Sequence, residues 1–152
     1  MKDNINNIFV SIKKRFPDID AKLVEINMSS FMVSDPCSRK IYYDPKQLRK
    51  FNFSKKALIG IIAHEFSHKV DYKRMNWIER LFLIRRHKRD FNFKRRLERE
   101  ADAIAVSRGF GEELKQAFKE SKIKFEKERF LRLKDVRLNI KEIDKIMLNL
   151  KH

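Results

Sequence analysis

Apolar residues recur early in the chain at Ile5, Ile8, Phe9, Ile12 and Phe16, the i, i+3, i+4, i+7, i+11 spacing of one helix face. Pro17-Asp18 ends that helix. Over residues 22–27 the period shortens to two, with Leu23 and Glu25 alternating against Val24 and Ile26, which predicts a short strand. Residues 30–33 and 40–43 flank the turn-rich Ser34-Asp35-Pro36-Cys37-Ser38 and suit a hairpin, closed off by Asp44-Pro45. Helical spacing then returns. Ser54 is the expected N-cap of a helix carrying Leu58, Ile61, Ile62, Phe66 and Val70. A second amphipathic stretch covers about 76–87, with Trp77, Ile78, Leu81, Phe82 and Ile84, whose apolar side is expected to face the core. A third, about 93–108, carries Leu97, Ala101, Ile104 and Ala105 and stops at Gly109-Phe110-Gly111. Two or three further helices follow, the last with Ile140, Ile143, Met147 and Leu150.

Only three Gly and three Pro punctuate this pattern in 152 residues, which favours long helices over a many-stranded sheet. The prediction is one α+β domain over residues 1–152, without repeats or a low-complexity linker. Hydrophobic residues make up 42% and include 13 Phe, enough for an independent core, and this excludes a disordered tail. Lys and Arg number 37 against 21 Asp and Glu, a net charge of +16 that draws the chain to polyanions. The single Cys37 excludes an internal disulfide framework and a Cys-built zinc ribbon. No apolar run approaches the roughly 18 residues of a membrane span. Leu81-Phe82-Leu83-Ile84 runs directly into Arg85-Arg86. Met1-Lys2-Asp3-Asn4 is followed by no secretory apolar segment, so the expected location is cytoplasmic.

The chemistry concentrates in Ala63-His64-Glu65-Phe66-Ser67-His68. Two imidazoles at i and i+4 lie one above the other on a helix face and can grip one zinc ion. Glu65 adjoins them and is placed to act as general base on a water at the open coordination position. A third ligand is needed, and Glu98 is the first candidate. Glu98 and Asp102 form another i, i+4 pair, so Asp102 can hold a ligand imidazole by its free ring N–H. Ala101 and Ala105 allow that helix to pack closely on the His helix. His87, 19 residues after His68, is the second candidate, with an exposed role in a basic run as its plainer reading. Tyr42, Tyr43 and Tyr72 are candidates for polarising a developing oxyanion, although core or rim packing is the favoured role for each of them.

His64-Glu65-Phe66-Ser67-His68, followed about 30 residues later by Glu98-x-x-Ala101-Asp102-x-x-Ala105, resembles the gluzincin metallopeptidases. The pattern is closest to the CAAX prenyl protease and HtpX-like group and to the soluble minigluzincins that share its minimal core. The resemblance covers roughly residues 22–118, leaving a C-terminal helical extension over about 119–152. It implies a minimal zincin-like α+β domain, with a small antiparallel β region packed on an active-site helix and a glutamate helix. It implies zinc held by His64, His68 and Glu98, with Glu65 as general base. It also implies an edge strand near residues 40–43 that pairs with extended substrate backbone. The membrane members carry several spanning helices and this chain has none, so their prenylated substrates do not transfer. Some minimal members are latent, and the tail beyond Ser121 or the N-terminal helix could occupy the cleft here.

Two other readings stand beside the zinc endopeptidase. An SprT-like, DNA-associated protease would use His87 as third ligand, and His87-x-x-x-Phe91 echoes that family's element without its Gly. A basic binding module with a vestigial site would use the region 73–96, where Lys73, Arg74, Arg80, Arg85, Arg86, Lys88, Arg89, Lys94, Arg95 and Arg96 crowd beside Trp77 and Phe82. Such a surface would meet nucleic acid or an anionic membrane.

Overall fold

The computed structural model describes residues 2–151. Helix α1 (Lys2–Lys13) opens the chain, and Ile5, Ile8, Phe9 and Ile12 are buried as their spacing predicts. Three strands follow, β1 (Lys22–Glu25), β2 (Met32–Ser34) and β3 (Lys40–Tyr43). Then come α2 (Pro45–Phe51), α3 (Lys55–Arg74), α4 (Trp77–Arg89), α5 (Phe91–Ser107), α6 (Gly111–Lys124), α7 (Lys127–Val136) and α8 (Ile140–Asn149). The class is α+β, mostly helical, and no helix among the described residues is long and apolar enough to cross a membrane.

The sheet corrects two expectations. Its order is β1-β3-β2, with β2 antiparallel to β3 but β1 parallel to β3, so the β region is mixed, not antiparallel. The turn after β2 makes the hairpin that was expected. β1, however, skips its successor in sequence and pairs on the far side of β3, starting with Lys22 N–H donating to the Arg39 carbonyl at 2.8 Å. Residues 40–43 therefore form the central strand, with both edges taken. β1 and β2 are the outer strands, each with a free edge, and of the two only β2 lines the cleft described below.

α2 was not foreseen, although its start is written plainly. Asp44 caps it by accepting from Lys46 N–H at 2.8 Å, and Pro45 occupies the first helical position, where its missing N–H costs nothing. Ser54 caps α3 as expected, accepting from Ala57 N–H at 3.2 Å. α5 ends before Gly109, whose φ of 90° is readily adopted only by glycine.

α3 runs through the middle, with α1, β2, α5 and α6 packed around it. Phe66 meets Phe9 and Phe16 at ring-centroid distances of 4.8 and 5.3 Å. Gly60 lets α6 cross closely, since a Cβ there would collide with the Glu113 backbone carbonyl. One hydrophobic cluster extends from Ile5 to Ile143, joining both ends of the chain to the same core.

α4 departs from the expected pattern. Leu83 is its one buried residue, joining Tyr72 and Leu97 in a small second cluster. Trp77, Ile78, Leu81, Phe82 and Ile84 are all exposed. The helix leans on α5 by the opposite side, and nothing among the described residues covers the side these five occupy.

Candidate metal centre

The His face of α3 meets α5 along a seam of small residues, Ala101 and Ala105, both fully buried. The close approach brings Glu98 and Asp102 onto the two imidazoles. His64 Nε2 lies 3.0 Å from His68 Nε2 and 3.1 Å from Glu98 Oε2, and His68 Nε2 lies 3.8 Å from the same oxygen. Asp102 Oδ1 accepts from His64 Nδ1–H at 3.0 Å. The arrangement thus unites His64, His68 and Glu98 as a possible metal-holding cluster, with Asp102 behind one imidazole.

Hydrogen-bond chemistry tests whether a cation fits. A carboxylate only accepts, so Asp102 assigns the His64 proton to Nδ1 and leaves Nε2 as an acceptor in the neutral ring. In that neutral ring the acceptor would face the Glu98 carboxylate and the second imidazole nitrogen, three electron-rich atoms that call for a cation between them, either a proton on Nε2 or a metal ion. Burial and the Arg137 guanidinium both disfavour a charged His64. The bonds to Asp102 and Glu98 outweigh them and raise its pKa to about 9. Burial likewise works against a charged Glu98, yet its bonds to His64, His68 and His87 hold its carboxyl well below the usual range. A tetrahedral zinc with ligands at about 2.0–2.1 Å needs those ligands about 3.4 Å apart. The three separations of 3.0, 3.1 and 3.8 Å bracket that value, so the donor set fits zinc.

The surroundings orient these groups. Tyr72 stacks on His68 at 5.7 Å, and burial pushes its hydroxyl pKa up, keeping it a donor. Glu65 is half-buried and lines a cleft of about 850 Å³ that reaches the cluster. Residues 30–36, including β2, form one wall, and α7 forms another. Lys69 ties the β2–β3 connection to α3 by donating to the carbonyls of Asp35 and Ser38 (2.9 Å for the latter). Burial lowers that ammonium's pKa to about 8.

His87 is brought to the rim, its Nε2 3.2 Å from Glu98 Oε1, outside the three-residue cluster. Tyr42 lines the cleft, whereas Tyr43 is buried and donates to Glu25 Oε2 at 3.2 Å. The residue that sequence reasoning missed is Arg137. Its Nε donates to both oxygens of Asp102 at 2.9 and 2.8 Å, and its Nη2 donates to Oδ1 at 2.6 Å. Leu138 N–H adds a bond to Asp102 Oδ2 at 2.9 Å. With those cations and donors around it, and despite burial, the Asp102 carboxyl lies below its ordinary range. Nothing in the sequence marks one Arg among 37 basic residues as the partner of this carboxylate.

No family model matches this chain, and neither a curated protein nor a solved structure matches it significantly.

Proposed function

We propose that the chain is a zinc-dependent endopeptidase, of the kind its HExxH and ExxAD segments resemble. The observation that carries this reading is the convergence of His64 Nε2, His68 Nε2 and Glu98 Oε2 beside the cleft lined by Glu65. His64, His68 and Glu98 would hold the ion. When bound, zinc supplies Lewis acidity and makes water nucleophilic near neutral pH. Glu65 takes the proton of the attacking water and delivers it to the departing amine nitrogen. Asp102 holds His64 in one tautomer and orientation, and Arg137 with Leu138 N–H keeps Asp102 in place. The edge of β2 is the natural seat for an extended substrate backbone, which would add as a strand along the cleft. α7 walls the same cleft, so the C-terminal part of the chain is also where a latent form would be enforced.

His87, bonded to the outer oxygen of Glu98, keeps the SprT-like alternative in the test. Metal content of the purified protein separates the two. Wild type is expected to hold about one zinc per chain, Glu98→Ala to lose it, and His87→Ala to keep it. Glu65→Gln should retain zinc and lose casein cleavage. Zinc lost with His87→Ala and kept by Glu98→Ala would reverse the ligand assignment. A wild type that takes up no zinc on reconstitution would sink the metallopeptidase.

A further inference from the structure

Single apolar side chains scattered on a surface are ordinary, but a contiguous set on one helix face is not. On α4, Trp77, Ile78, Leu81, Phe82 and Ile84 are each between 49% and 70% exposed. At 3.6 residues per turn they fall within an arc of about 160°. Arg85, Lys88 and Arg89 lie in the same arc, one to two turns further along, and all are exposed. Phe91, at the start of α5, is 54% exposed beside them. The only acidic side chain of α4, Glu79, is engaged at the helix start, accepting from Asn76 N–H at 2.8 Å.

We propose that this face of α4 docks on the surface of an anionic lipid bilayer. Trp77, Ile78, Leu81 and Phe82 enter the headgroup boundary, while Arg85, Lys88 and Arg89 meet the lipid headgroups. Charge selects this occupant. A second copy of the chain would set the same three cations against their own counterparts, and each chain already carries +16. Duplex nucleic acid would engage the cations but gives Ile78, Leu81 and Ile84 nothing to stack on or bond to. Only an anionic apolar interface uses both halves of the face. The helix lies on the bilayer and does not enter it, since no helix among the described residues can span one. Ile84, His87 and Lys88 also line the cleft, so docking brings the cleft mouth to the membrane surface. The proposal does not depend on the metal.

Trp77 is the only tryptophan of the chain and sits inside the proposed contact, so its emission reports the event directly. The full chain, zinc-loaded and chelator-treated in parallel, is titrated with phosphatidylcholine vesicles with and without phosphatidylserine. Both forms are expected to co-sediment with the phosphatidylserine vesicles and to show a blue shift of Trp77 emission. Leu81→Ser combined with Phe82→Ser keeps every charge and should weaken partitioning ~10-fold or more. Arg85→Gln with Lys88→Gln and Arg89→Gln should remove the preference for phosphatidylserine. The altered positions are exposed, and melting curves matching wild type will confirm folding. An unshifted Trp77 emission on vesicles overturns the proposal. So does a Leu81/Phe82 variant that binds like wild type, because net charge alone would then explain the attraction. Tighter binding to duplex DNA than to the vesicles, or a lipid-free dimer that shifts Trp77 emission, would assign the face elsewhere.

Discussion

Helices α3 and α4 both present large apolar side chains at helical spacing, and the protein treats them in opposite ways. Thirteen of the twenty residues of α3 are buried, polar ones included, while α4 buries Leu83 alone among its thirteen. Periodicity reports which side of a helix is apolar; the presence of a neighbour decides whether that side is covered. α3 has neighbours all round, so it can carry two imidazoles and a lysine into the interior and give each a partner. α4 rests mainly on α5, with Leu83 also reaching Tyr72 of α3, and its unused side is free for contact outside the chain.

Four substitutions probe this contrast. Phe66→Ala, in the middle of α3 and against Phe9 and Phe16, should cost about 3–5 kcal/mol in chemical denaturation. A loss below about 1 kcal/mol would mean that α3 is not the packing axis. Arg137→Met strips the cation from buried Asp102 and should cost about 3 kcal/mol, because a buried carboxylate is left short of a partner. The same variant should weaken zinc affinity by about 10-fold or more, as loss of support behind a ligand usually does. An unchanged variant would show that the C-terminal helices merely sit beside the site. Leu81→Ser or Phe82→Ser in α4 should each stay within about 0.5 kcal/mol of wild type without lipid. A larger loss would mean that α4 is covered in solution after all.

Much of the local structure was legible. The helix of residues 5–16 appears as α1, Ser54 marked the start of α3 and Gly109-Phe110-Gly111 the stop of α5, and the hairpin between β2 and β3 forms. The histidines and the Glu98/Asp102 pair could be read because each pair is set by spacing within a single helix. What escaped depends on distant partners. Arg137 reaches Asp102 across 35 residues, and its type is too common here to stand out. The parallel pairing of β1 with β3 is a choice of neighbour that alternation does not encode. The edge strand was accordingly assigned to residues 40–43 when β3 in fact lies in the centre. α2 is different, since Asp44-Pro45 carried its signal and was read only as the end of the β region. The apolar residues of α4 were visible, but their exposure was not.

The anchoring of Asp102 by Arg137 and Leu138 also sets an order in time. A growing chain makes its ends in sequence, and domains fold as units once enough of them exists. His64, His68 and Glu98 are synthesised well before the junction between α7 and α8. Until that junction is made, Asp102 has no guanidinium to lean on, and the imidazole it should steady is free to turn. A nascent chain therefore carries every residue that could hold the metal before it carries the ones that hold them still, and the centre reaches its final stiffness only once Arg137 and Leu138 have been added.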